Sequence, residues 1–477
     1  GVGRCRTSTG GVMCPSFRAT GDEKDSTRGR ARVLQEVVRG TLPVTHPAVE
    51  ESLELCLACK ACSSDCPTGV DMATFKAETL HRRHRGRLRP RVHYSLGLLP
   101  VWLRATGRIA GPLNAVMATR VGRAAARLGG ITPDRELPRF ASAAQLRAEL
   151  GRAPDSVWSV DRNAPAAARA SAPHGVAPHG AGPTAGARTS AEVVLFLDSF
   201  TRGLRPTVAG AAARVLGSSH TSVACSSRHC CGLTHITTGR LDSARRTLRE
   251  TVRHLDGIRG PNGEEVPVVV VEPSCAATLR GDLPRLLGDT SDTSSGQGAG
   301  THDRADTDAG PDAATDAEAA RRVAARIRSA AEHLGALAAS GRAPAWPGGA
   351  APDRVTVQTH CHEYATFGNR VQLATLTALG VGSVREATGC CGVAGDFGFT
   401  AGHEAVADAV AEQALAPALR ADPDAPVLTD GFSCATQITH LAARDPLVGD
   451  RTGRHLFELL DPDPLTDPTR ATSRRKP

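Results

Sequence analysis

The hydrophobic pattern changes character along the chain. From residue 71 to 150, apolar residues recur at helical spacing with breaks at Pro90, Pro100 and Pro112, which predicts a set of short helices. Upstream, Ser26 to Val38 reads as one helix with a Ser or Thr cap. From residue 191 onward, short continuous apolar runs alternate with longer amphipathic segments. Val193-Val-Leu-Phe-Leu197 and Val266-Pro-Val-Val-Val-Val271 are runs of the buried-strand kind, and helices follow each.

This second pattern occurs twice, with a period of about 160 residues. One copy contains Cys230-Cys231-Gly232 and Ser274-Cys275; the other contains Cys390-Cys391-Gly392 and Ser433-Cys434. From the second paired cysteine to the last is 44 positions in one copy and 43 in the other, so the copies share one architecture. Alternating strands and helices imply parallel α/β layers with the cysteines at strand C-termini, where such folds place their sites. The expected fold class is therefore mixed: a helical, ferredoxin-like N-terminal domain over 1–150, then α/β cysteine-rich repeats over 191–288 and 319–462. Composition marks 151–190 as a disordered linker, 289–318 as a disordered insertion and 463–477 as a disordered tail. His174 and His179, isolated in the linker, carry no metal-site pattern.

The candidate chemistry lies in the cysteines. Cys56-Leu-Ala-Cys59-Lys-Ala-Cys62-Ser-Ser-Asp-Cys66-Pro67 has the C-x2-C-x2-C-x3-C-P spacing of a bacterial ferredoxin. Zinc sites usually pair two C-x2-C knuckles across a longer gap. Cys5 and Cys14-Pro15 form a partial second motif. In two-cluster ferredoxins the C-P cysteine serves the other cluster, so Cys56, Cys59 and Cys62 are expected to share a cluster with Cys14. Cys66 then goes with Cys5 at a second site that is incomplete here. In the repeats, adjacent strand residues point to opposite faces, and a following glycine permits the tight turn that brings both thiols inward.

Charge and composition narrow the field further. The net charge of +8 is almost all arginine, and 3% aromatic residues leave little for base stacking, so nucleic-acid binding is disfavoured. No run reaches membrane-spanning length, and clustered thiols without a secretory signal point to a reducing, cytoplasmic setting. The basic stretch His81 to Arg91 fits a solvated helix end, an acidic partner or peripheral contact with lipid headgroups. No phosphate-binding glycine loop and no Ser-His-Asp or paired-carboxylate arrangement stands out.

The Cys…Cys-Cys-Gly…Cys pattern resembles the CCG domain of heterodisulfide reductases and of glycolate- and lactate-oxidising iron–sulfur proteins. Cys361, Cys390, Cys391 and Cys434 match it. Gly431 stands where a further cysteine occurs in heterodisulfide reductase, which favours a four-thiolate cluster here. The first repeat has the Asp198-Ser199-Phe200 region where Cys361 aligns. Its Cys225, Cys230, Cys231 and Cys275 are left as a cluster site, a zinc site or neither.

As a whole, the chain resembles the C-terminal half of fused FAD-binding and iron–sulfur 2-hydroxyacid dehydrogenases. The matching stretches are Gly11-Val-Met-Cys14-Pro-Ser-Phe-Arg18, Ser26-Thr-Arg-Gly-Arg-Ala31, Val70-Asp-Met-Ala-Thr-Phe-Lys-Ala-Glu78, His360-Cys361-His362 and Gly389-Cys-Cys-Gly-Val-Ala-Gly395. The chain opens at Gly1 inside a motif already under way, and is read as part of something longer. The resemblance implies [4Fe-4S] clusters, one of ferredoxin type and one in the second repeat, and a flavin domain or subunit that oxidises D-lactate, glycolate or D-2-hydroxyglutarate. It implies electron delivery to a quinone or another carrier, with His360 and His362 tuning a cluster or relaying protons. The rival readings are a heterodisulfide-reductase-like protein and a structural zinc-binding interaction protein.

Overall fold

The computed structural model describes residues 3–7, 11–161, 189–288 and 312–463. Through residue 150 the described chain forms helices and no strand. Their starts follow from local capping chemistry. Ser26 caps the Thr27–Val38 helix by accepting from Gly29 N, Asp71 caps Met72–Arg83 through Thr74 N, and Ser142 with Gln145 forms a capping box on Ala143–Leu150. The basic stretch after Leu80 is partly a clasp. Arg89 donates to the carbonyls of Thr238 and Gly239 in the first repeat, and Arg83 donates to those of Val44 and His46.

The strands run in chain order β1 (Val157–Ser159), β2 (Thr189–Ser190), β3 (Val193–Phe196), β4 (Val223–Ser226), β5 (Ile258–Arg259), β6 (Val268–Val270), β7 (Ile327–Ser329), β8 (Arg354–Val357), β9 (Ser383–Glu386), β10 (Val427–Leu428) and β11 (Gly453–Arg454). One sheet has the order β1-β4-β3-β6-β7 and another β11-β10-β8-β9, while β2 pairs with β5. Every pairing between these strands is parallel. This is the mixed architecture of helices and parallel layers that the alternating pattern implied. Strands β3, β4 and β6 are buried along their whole length, as central strands covered by helices on both faces must be.

Two boundaries differ from the expected ones. Residues 157–159 belong to a strand rather than a linker: Val157, Trp158 and Ser159 register against Val223, Ala224 and Cys225. Val157 and Trp158 pack on the core, and Trp158 Nε1 donates to Ser222 Oγ at 3.1 Å. A few apolar residues suffice for an edge strand, but the Ala, Pro and Gly beyond them dominate the composition of the window. Likewise, the Asp312–Arg326 helix begins inside the expected insertion, and it and β7 complete the first repeat's sheet, not the second's. Arg326 anchors that helix by donating to the carbonyls of Val266, Leu255 and Ile258. Residues 162–188 of the linker (with His174 and His179), 289–311 of the insertion and 464–477 of the tail lie outside the described residues. Among the described residues no helix is long and apolar enough to cross a membrane.

Candidate metal centres

All 14 cysteines are free thiols, and all but Cys66 are buried. They gather at three places. At the first, Cys5, Cys14, Cys56 and Cys62 share one buried cluster, with half-buried Cys66 against it. The backbone bends sharply there: Cys14, Ala58 and Lys60 adopt left-handed conformations with φ of 53°, 52° and 60°, which L residues rarely hold. Hydrogen bonds aim at sulfur. Thr27 N lies 3.1 Å and Thr27 Oγ1 2.9 Å from Cys14 Sγ, and Met72 N donates to Cys62 Sγ at 3.3 Å. Burial and the nearby Cys56 push the Cys62 thiol up to about 12. Desolvation also raises Cys66, but the Thr68 hydroxyl and the amides of Val70, Thr68 and Gly69 more than offset it and leave that thiol below its ordinary value.

Cys59 takes a different course. It packs in one buried cluster with Cys361 and Cys390 of the second repeat, and burial followed by Cys361 raises its thiol well above normal. The Ala61–Asp65 helix lies against Cys361–Thr366. Asp65, which the cysteine spacing did not single out, ties this region together. Its Oδ2 accepts from Val12 N at 2.6 Å and Met13 N at 2.9 Å, and its Oδ1 accepts from Tyr364 Oη at 2.9 Å. Lys76, half-buried, donates to the Cys56 carbonyl at 2.7 Å.

At the second place Cys361, Cys390, Cys391 and Cys434 converge. Cys390 interacts directly with Cys361 and Cys391, and Cys391 with Cys434. Cys390, Cys391 and Cys434, so close together, do not hold ordinary proton affinities. Bonding from Cys390 and Cys434 drives Cys391 well below the usual value, while Cys390 and Cys434 are driven well above it. Gly392 N approaches Cys390 Sγ at 3.4 Å. Gly392 itself sits at φ +88°, with Ala407 O 2.1 Å from where a Cβ would stand. Burial keeps the flanking imidazoles neutral, with His360 pushed down to about 4 and His362 well below its ordinary value. Gly431 leaves room for His360: a Cβ there would lie 2.1 Å from His360 Cδ2, so a further cysteine would require that ring to move.

The third place is the first repeat. Cys231 Sγ lies 2.8 Å from Cys275 Sγ, and Cys230 contacts Cys231 and the Ser199 hydroxyl. Ser199 opens the Ser199–Leu204 helix behind its Asp198 cap, just as Cys361 opens Cys361–Thr366 behind His360. A serine thus occupies the fourth thiol's place. Cys225 stands apart from this group: it packs with Val223, in a different core cluster from Ala224, Cys231 and Cys275, and its neighbouring charges are Asp161 and Arg202. Strand alternation explains the separation.

Between the repeats, Glu272 joins the two sites. It accepts from Phe432 N at 2.9 Å and Ser274 Oγ at 3.0 Å and lies 3.9 Å from His360 Nε2; burial and Asp198 push its carboxyl up to about 8. A mainly apolar cavity of about 880 Å³ opens beside it, lined by Leu96, Trp102, Phe200, Phe399 and Phe432, with His360 and Ser433 on its wall.

Soft, dry thiol sets with amides directed at sulfur are the donor chemistry of iron–sulfur clusters, and the residues fit them. Cys14, Cys56 and Cys62, with Cys59 on the far side, would hold one; Cys361, Cys390, Cys391 and Cys434 would hold another.

Comparison with known proteins agrees. The 4Fe-4S dicluster domain family matches residues 1–70, and the Cysteine-rich domain family matches 198–280 and 355–439. D-2-hydroxyglutarate dehydrogenase of Pseudomonas putida is 22% identical over 91% of this chain. The chain thus carries the 4Fe-4S dicluster and Cysteine-rich domains of iron–sulfur proteins and is similar to iron–sulfur 2-hydroxyacid dehydrogenases. The glycolate oxidase iron–sulfur subunit of Escherichia coli is 40% identical over 12% of the chain, and a probable counterpart from Bacillus subtilis 35% over 17%. These matches span 40%, 14% and 18% of the three relatives' own lengths. No solved structure matches.

Proposed function

We propose that this chain is the iron–sulfur portion of an FAD-linked 2-hydroxyacid dehydrogenase, an oxidoreductase acting on D-2-hydroxyglutarate, D-lactate or glycolate. A flavin domain or subunit removes two electrons from the hydroxyacid. The thiolate-bound clusters take them one at a time and pass them to a quinone or another carrier. The single observation that carries this reading is the position of Cys59, packed between its own motif and the Cys361–Cys390 pair, so that two cluster sites adjoin through buried sulfur. The amides aimed at sulfur and the dry surroundings are the means by which such sites set potential. The apolar cavity beside His360 and Ser433 suits a largely apolar acceptor.

The test is to purify the protein anaerobically with its flavin partner and measure iron, sulfide, zinc and the reduced-state EPR spectrum. About eight irons per chain, with signals from interacting centres that appear on adding one of the three hydroxyacids, support the reading on four-iron stoichiometry. Zinc without sulfide overturns it. Cys59→Ser is expected to abolish the ferredoxin-type signal and block electron flow while the repeats stay folded; unchanged iron and electron transfer would sink that assignment.

A further inference from the structure

Outside the thiol sets, three segments far apart in the sequence meet at one point. Asp161 follows edge strand β1, His229 lies in the loop after β4, and His254 is in the last turn of the Leu241–Asp256 helix. One ligand atom from each lies within 4.8 Å of the others. The two imidazole rings stack with centroids 4.0 Å apart. Asp161 is 6% exposed, and its Oδ2 accepts from Ser227 N at 2.9 Å and Ser227 Oγ at 2.6 Å. Its Oδ1 and the Nδ1 of His229 are buried with no hydrogen-bond partner among the described residues. Arg202, the half-buried cation nearby, feels the charge of Asp161 but gives its hydrogen bonds to the Asp198 carbonyl and the Ser199 hydroxyl.

A buried carboxylate oxygen without a donor is costly, so folds rarely keep one without a use. Two imidazoles and one carboxylate are the donors of a borderline divalent ion with a fourth position for water. We propose that Asp161, His229 and His254 form a zinc-class metal site, separate from the cysteine sets, that fastens strand β1 to the first repeat. Because His229 immediately precedes Cys230, the ion also fixes the loop that carries the paired cysteines. The proposal does not depend on the flavin-linked reading above.

The test uses the full chain with its clusters in place, equilibrated with zinc and then passed over a desalting column. Zinc-edge X-ray absorption sees only zinc and so ignores the iron. About one zinc per chain, with a nitrogen and oxygen shell at about 2.0–2.1 Å and imidazole scattering, is expected. A sulfur shell at about 2.3 Å would place zinc on cysteine and overturn the proposal, as would failure of the chain to retain zinc. Asp161→Asn keeps the shape and removes the anionic ligand; His254→Gln is the second variant. Each is expected to weaken zinc binding at least about 100-fold, beyond the roughly 10–100-fold typical of outer-shell changes, with iron unchanged. Zinc retained undiminished in both variants would also overturn it.

Discussion

The two repeats share one layout of thiol-bearing elements and differ at the residue that opens the helix facing the paired cysteines. Each carries a Cys-Cys-Gly turn, a final cysteine on the helix after the closing strand, and a helix whose first residue faces the paired cysteines. In the second repeat that first residue is Cys361; in the first it is Ser199. The backbone that presents three thiols is therefore kept where the fourth is absent. The fourth ligand, more than the fold, decides whether a thiol group can act as a four-thiolate cluster site. The first repeat keeps another role: its Glu272 reaches across to Phe432 N and His360 beside the second site, so it buttresses a centre it does not ligate.

The largest expected effect tests this division directly. Cys391→Ser should remove about four irons per chain, by the four-iron stoichiometry of such clusters, and abolish electron transfer. Cys231→Ser should leave both unchanged. Loss of iron in the Cys231 variant would break the comparison. Ser199→Cys sharpens it from the other side. Restoring the fourth thiol should let the first repeat take up about four further irons on anaerobic reconstitution, with a new EPR signal. If iron and sulfide stay level, something other than the missing ligand keeps that site empty of cluster.

How much of this was legible beforehand follows from where each signal lies. Candidate ligands close in sequence are marked by spacing, so Cys56, Cys59, Cys62 and Cys66 could be singled out together, and the paired cysteines by their own glycines. The alternating apolar runs identified the parallel layers. Assignments that depend on approach in space were not legible. Spacing grouped Cys59 with Cys56 and Cys62 but could not reveal that it also faces Cys361. Asp65 looked like a spacer between two cysteines. Cys225 seemed a candidate ligand because it is near Cys230 in sequence, but strand alternation turns it away. Asp161, His229 and His254 form no motif, and the composition of the following segment hid β1.

The glycines after the paired cysteines offer a smaller test. Both are left-handed, so alanine costs about 1–2 kcal/mol at either from the backbone alone. At Gly232 the nearest atom to a new Cβ is Leu248 Cγ at 3.6 Å, an ordinary contact. At Gly392 it is the Ala407 carbonyl oxygen at 2.1 Å, which must move. Gly392→Ala should therefore be more destabilising than Gly232→Ala by about 2 kcal/mol, in the range of overpacking, as read by urea denaturation of the cluster-loaded protein. Equal costs would mean that the helix Glu404–Ala411 yields easily, and that the second repeat is no tighter than the first.

The smallest effect concerns how the ferredoxin-type region is fastened to each repeat. To the first repeat it is held by an ion pair, Lys60 Nζ to Asp282 Oδ1 at 2.7 Å, with the carboxylate almost fully buried. To the second it is held by the neutral hydroxyl of Tyr364 on Asp65. Burial, then Asp65, pushes that phenol up to about 12, so it stays protonated and donates across the physiological range. Tyr364→Phe removes the donor but leaves Asp65 its two backbone amides, so the carboxylate is not stranded. The expected loss is about 1 kcal/mol, that of one hydrogen bond, with iron content unchanged. A much larger loss, or iron released from the second repeat, would mean that Tyr364 holds Cys361 in place through the helix they share.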